Sequence, residues 1–293
     1  MLRIALFLGT NMAILLILSI TMSLFGVEGV LQDNGVDLNL NSLLLISAVI
    51  GFAGSFISLL MSKWLAKRSM GVKIIATPKN ETETWLLQTI KDISSNAKIN
   101  TPEFGTFNSQ QMNAFATGAS KNSSLVALST ALINHMNRDE IEAVIAHEVA
   151  HIKNGDMVTM TLIQGIINTF VIFFSRIIGH FVDRVIFKVQ RGHGPAYYIT
   201  SIIAQIFLSI LASIIVMWFS RKREYAADLS ASKLVGPNKM ISALKTLSTK
   251  SQQNLPDQMA AFGISGKREK NYKSLFSSHP SIESRIETIL MNS

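Results

Sequence analysis

The sequence contains no cysteine, which excludes a disulfide framework, a thiolate nucleophile and a cysteine-ligated metal. Any metal bound by this chain must be held by imidazole and carboxylate groups. Charge is scarce as well: 16% of residues are Asp, Glu, Lys or Arg, against 48% hydrophobic. A soluble domain carries about 25% charged residues, so an ordinary water-soluble globule is excluded. The scarcity is concentrated, because residues 4–26, 40–62, 157–175 and 195–220 hold no Asp, Glu, Lys or Arg at all. A helix needs about 20 residues to cross a hydrocarbon core of ~30 Å, and three of these four runs are longer than that. The pattern is that of an integral membrane protein.

Acidic residues are outnumbered, 19 against 27 basic, for a formal net charge of +8. Such an excess can signal nucleic acid, but the basic residues sit at the ends of apolar runs. Lys63, Lys67 and Arg68 follow the second run, and Arg221, Lys222 and Arg223 follow the fourth. Cytoplasmic flanks look like this under the positive-inside rule. With no DNA- or RNA-binding motif in the chain, the lipid bilayer and not nucleic acid is the expected partner. The segment 27–39 carries Glu28, Asp33 and Asp37 without a basic residue, so it is expected outside, with both termini and residues 63–156 in the cytosol. The N-terminal run is too long for a signal-peptide core and lacks a small-residue cleavage site, which makes it an uncleaved first span. The connection 183–197 holds Arg184, Lys188 and Arg191, an awkward set for an external loop. It leaves open whether residues 157–220 cross the bilayer fully or only dip into it.

Four segments follow: a transmembrane hairpin over 1–62, a cytosolic domain over 63–156, a second hydrophobic hairpin over 157–220 and a cytosolic continuation over 221–293. In the first cytosolic segment, Trp85, Leu86, Ile90 and Ile93 recur at helical spacing. Residues 111–129 read as two short strands joined by a Gly-Ala-Ser-Lys-Asn turn. Asn137 three residues before Glu140 is a helix-start signal, and Ile141, Val144, Ile145 and Ile152 supply an apolar stripe. Beyond residue 220, helices are expected over about 221–235 and 238–249, with a short one at the C-terminus.

The polar chemistry sits in "AVIAHEVAHIKNGD", residues 143–156. His147 and His151 are one helical turn apart, so both imidazoles lie on one face and can reach one zinc ion. Glu148, next to the first ligand, is placed to take a proton from water; this is the H-E-x-x-H pattern, with Glu148 as general base. A catalytic zinc takes three protein ligands and keeps a position for water. Asn154 and Met157 stand where a longer motif would need Gly and His, so the third ligand lies elsewhere. Glu224 is the only glutamate with an aspartate four residues on, Asp228. That pair follows the fourth apolar run, where the chain returns to the cytosol. It suits Glu224 as third ligand and Asp228 as acceptor for a ligating imidazole N–H. The charged residues Asp139, Glu140, Glu142, Lys153 and Asp156 around the motif argue against an intramembrane protease.

Together "HEVAHIKNGD", "REYAADLSASKLVG", "NAFATG" and "HPSIESRI" resemble the HtpX group of membrane zinc metalloproteases, relatives of the CAAX prenyl-protein endopeptidases. The resemblance runs over essentially the whole chain. It implies a mainly α integral membrane protein, with four hydrophobic helical segments and a cytosolic zincin-like α+β metalloprotease domain containing a small β-hairpin or sheet. The implied activity is zinc-dependent endopeptidase cleavage of misfolded or damaged membrane proteins or unfolded polypeptides. It would act at the cytoplasmic face of a bacterial inner membrane, in stress-response quality control. Residue by residue it implies His147, His151 and Glu224 as ligands of one Zn2+ and Glu148 as the catalytic glutamate. Asn113, Ala114, Phe115 and Ala116 would belong to an edge strand that pairs with substrate. His279 and Arg285 match the C-terminal signature; His279 could contact the tetrahedral intermediate, or Arg285 could hold the terminal helix.

Overall fold

The computed structural model of the protein describes residues 15–24, 26–33, 36, 38–250 and 277–293. In chain order its elements are α1 (Leu15–Leu24), α2 (Val27–Asp33), α3 (Leu40–Ser69), β1 (Lys73–Ile74), α4 (Glu81–Ala97) and β2 (Glu103–Phe107). β3 (Ala114–Ser120), β4 (Ser123–Ser129), α5 (Thr130–His135), α6 (Arg138–Asn154) and α7 (Asp156–Phe181) follow. A short π-turn (Val182–Ile186), α8 (Pro195–Val235), α9 (Pro237–Lys250) and α10 (Ile282–Met291) complete the chain. The described residues fall into two compact units, one within Met1–Ile57 and Thr161–Ile215, the other within Ser58–Met160 and Val216–Ser293.

Among the described residues, three helices are long and apolar enough to cross a membrane: Leu40–Ser69, the stretch Asp156–Ile186, and Pro195–Val235. The expected fourth span, over residues 4–26, is described only from Leu15, as a helix ending at Leu24. Residues 4–14 of it lie outside the described residues. In the first unit Phe173 is fully buried against Met22, Leu31, Val36, Leu40 and Leu44. α3 and α7 approach at two glycines. A Cβ on Gly51 would lie 2.7 Å from the Thr169 backbone nitrogen, and one on Gly165 would lie 2.7 Å from the Phe52 ring. Small residues are what let helix backbones come this close without a hydrophobic drive between them. Asn168 then donates to Ser55 Oγ at 3.3 Å across the seam.

The second unit contains a four-stranded sheet in the order β1-β2-β4-β3. The expected hairpin is present as β3 and β4, and it is extended on the β4 side by β2, which runs parallel to it, and by the two-residue β1. α6 packs on β3 and β4 and is flanked by α4 and α9. Its core contacts include Leu86, Ile90 and Ile93 of α4, and Met240, Leu244 and Leu247 of α9. α6 starts on a capping box between Asn137 and Glu140 and stops at Gly155, whose φ of +72° suits glycine. Glu140 is buried and also accepts from Ser242 at 2.8 Å and Thr246 at 2.6 Å, which fixes α9 to the start of α6.

One element differs from the sequence reading. The apolar run 195–220 and the polar helix after it are a single helix of 41 residues. No glycine or proline interrupts residues 196–235, and a change from apolar to polar side chains does not break the backbone hydrogen-bond ladder. Gly236, with φ +94°, marks the stop.

Candidate metal centre

His147, Glu148 and His151 lie on α6, where both histidines are held by helix geometry alone. Glu224 and Asp228 come from the polar end of α8, one turn apart. One ligand atom each from His147, His151 and Glu224 lies within 4.8 Å of the others, and no other such group of three exists among the described residues. The Nε2 atoms of the two histidines are 3.1 Å apart. Glu224 Oε1 is 3.3 Å from His151 Nε2, and Oε2 is 3.4 Å from His147 Nε2. Three atoms that can donate lone pairs thus converge on one point.

The opposite edges of both imidazoles face carboxylates. His147 Nδ1 is 2.9 Å from Asp228 Oδ1, and His151 Nδ1 is 2.6 Å from Asp156 Oδ2. This favours the Nδ1–H tautomer and leaves Nε2 free to bind a cation. Burial opposes the charged form of both histidines, but the acidic neighbours win. Asp228 and Glu224 hold the His147 pKa above its usual value, and Glu224 and Asp156 push His151 up to about 10. So much cation-stabilising charge around two imidazoles is the environment a divalent metal ion would find. Glu224 Oε2 is buried and ringed by imidazole nitrogens, His279 Nδ1 at 2.7 Å and His147 Nε2 at 3.4 Å. The donor set and its spacing fit a metal ion.

Glu148 is buried, with 4% of its surface exposed. Arg285 of α10 is completely buried and grips Asp228 with two bonds, Nε to Oδ2 at 2.7 Å and Nη2 to Oδ1 at 2.6 Å. Its Nη2 is 3.8 Å from Glu224 Oε2. His279 Nδ1 is 2.7 Å from Glu224 Oε2, so the residues of the C-terminal signature meet the α8 acids. Tyr225 and Ser284 hydroxyls, 2.7 Å apart, tie α10 to α8. Asn113 is buried just before β3, Ala114 and Phe115 are buried within it, and Ala116 is half-buried. β3 pairs only with β4 among the described strands and is therefore an edge.

Sequence reasoning missed Asp156. Its signal was slight: an acidic residue directly after the glycine that ends α6. It opens α7, where its carboxylate is brought back to His151, with Arg223 Nη1 3.9 Å away.

The profile of peptidase family M48 matches residues 80–292. The chain belongs to peptidase family M48. The M48 match takes in α4 through α10 and every residue of the metal centre. The chain is similar to Protease HtpX of Thioalkalivibrio sulfidiphilus, 58% identical over 285 residues and covering 97% of each chain. It is also similar to Protease HtpX of Pseudoalteromonas atlantica, 56% identical and covering 99% of each. Among solved structures it resembles S. mikatae Ste24p, with a TM-score of 0.61 at 19% identity, covering 94% of this chain and 67% of that one. At that identity the likeness concerns the fold. This M48 chain is accordingly a metallopeptidase and a membrane protein, mainly helical around a small mixed sheet.

Proposed function

We propose that this peptidase is a zinc endopeptidase that cuts misfolded or damaged membrane proteins and unfolded polypeptides at the cytoplasmic face of a bacterial inner membrane. The observation that carries the reading is the convergence of His147, His151 and Glu224 beside the buried Glu148. These three side chains would hold one zinc ion. When bound, such an ion supplies a Lewis acid that polarises a peptide carbonyl and lowers the pKa of water toward ~7.

The chain's own residues do the rest. Glu148 accepts the proton of the attacking water on its carboxylate and later hands it to the leaving amine. Asp228 and Asp156 hold the Nδ1–H of His147 and His151, keeping both Nε2 atoms turned inward. Arg285 fixes Asp228 by its paired bonds, and His279 holds the Glu224 carboxylate; both are positioning residues. The edge of β3, unpaired among the described strands, offers an extended substrate main-chain hydrogen bonds with little side-chain preference, which suits clients of many sequences. Support for the cytoplasmic side comes from the basic flanks at 63–68 and 221–223.

The test is Glu148→Gln in the full chain purified in detergent. It should keep stoichiometric zinc and lose cleavage of an unfolded polypeptide by at least about 100-fold, the scale of a lost general base. Retained proteolysis would remove Glu148 from the chemistry, and chelator-resistant cleavage by the parent would remove zinc.

A further inference from the structure

The chain has six histidines. Three of them, His147, His151 and His279, meet in the centre already described, and His135 bonds the Ala131 carbonyl of its own helix at 2.8 Å. The remaining two, His180 and His193, are also brought together. His180 is in the last turn of α7, and His193 lies in the connection to α8. Their Nε2 atoms are 3.4 Å apart and their ring centroids 4.8 Å apart. The ligand histidines of the first centre show nearly the same relation, at 3.1 and 4.6 Å.

The local chain is built to hold this pair. A Cβ on Gly179 would lie 2.0 Å from Ser201 Oγ, so α7 and α8 are in tight contact one residue before His180. Asp183 is 1% exposed and accepts the Gly194 backbone N–H at 3.0 Å, fixing the residue after His193. Arg184 donates to the carbonyls of Val189 at 2.6 Å and Gly192 at 3.2 Å. Both histidines pack against Tyr197, with ring centroids 4.7 and 4.1 Å away. Two cations stand nearby and keep their charge against a bound ion, Arg184 on those carbonyls and Arg176 over the Tyr197 face at 6.0 Å. The second carboxylate oxygen of Asp183 is buried without a hydrogen bond and adds negative charge beside the pair. His193 is exposed and His180 only half-buried, so ions can reach both rings.

From this juxtaposition we propose a second metal site, in which His180 Nε2 and His193 Nε2 together bind a divalent transition ion such as Zn2+, with water in the remaining positions. Imidazole nitrogen selects ions of this class over Mg2+ or Ca2+. Bound there, the ion ties the connection 187–194 to the end of α7. The test uses the full chain in detergent, carrying Glu148→Gln to suppress self-cleavage, dialysed against buffered micromolar Zn2+ and then assayed for bound metal. The parent should hold one more equivalent than His193→Gln and one more than His180→Gln, while His135→Gln loses none. Because the readout is a difference, it stands whether or not the first centre is filled. Equal zinc in the parent and both variants overturns the proposal and leaves the pair as an imidazole–imidazole hydrogen bond.

Discussion

At the scale of single residues, the metal centre depends on groups that do not face the ion. Asp228 and Asp156 each hold the outer nitrogen of one imidazole. Removing such a partner usually costs 10–100-fold in metal affinity. Asp156→Ala and Asp228→Ala should therefore weaken zinc binding by about that factor in competition with a chromogenic chelator. Asp228→Ala should be the more disruptive, because it also strands the buried Arg285 charge. Unchanged affinity in both would refute the tautomer assignment. The same carboxylates set a pH dependence. His151 holds its proton to about pH 10 in the metal-free chain, so zinc has to displace it. The apparent zinc affinity should tighten by at least about tenfold per pH unit between pH 6.5 and 8.5. A flat profile would contradict that. Without metal, the stabilisation from charged His151 is complete below 6.5 and is lost as pH rises through about 10.

At the scale of elements, the sequence was most readable where one helix or one hairpin accounts for the pattern. The periodicity around Leu86 and Ile90, the Asn137 start and the Gly155 stop are local properties, and α4 and α6 follow from them. The β3–β4 hairpin is equally local. Its extension by β2 was not legible, because parallel pairing joins residues such as Phe104 and Val126 that have no turn between them. The edge position of β3 leads to a prediction. The Ser129 N–H donates to the Asn113 carbonyl, so the ladder alternates to leave Ala114 and Ala116 with backbone groups pointing away from β4. Ala116→Pro removes one of these outward donors at a position where edge strands tolerate proline. Cleavage of long unfolded polypeptides should fall by about tenfold, one lost hydrogen bond at ~1.4 kcal/mol. Zinc content should stay the same; loss of zinc would show that β3 is structural instead.

For the whole molecule, a zinc ion held by His147, His151 and Glu224 would act as a clamp between distant parts of the chain. His151 and Glu224 are separated by α7, the 187–194 connection and most of α8. An ion held by both stabilises the folded state by mass action, about 4 kcal/mol at a thousandfold excess over Kd. Chelation should lower the unfolding midpoint of the catalytic half by several degrees, read by differential scanning fluorimetry. Glu224→Ala should show no zinc-dependent shift, and a full shift in that variant would place the clamp elsewhere.

The sequence by itself determined the apolar helices, the caps of α6 and the shared face of His147 and His151, because helix pitch and hydrophobic length act over a few turns. It pointed to Glu224 and Asp228 through an i, i+4 spacing and a topology argument. Only the tertiary structure brought those acids to the histidines and set Asp156 behind His151. It likewise placed Arg285 and His279 against the α8 acids and joined His180 to His193. Such contacts depend on how separate elements pack, and no local period records that.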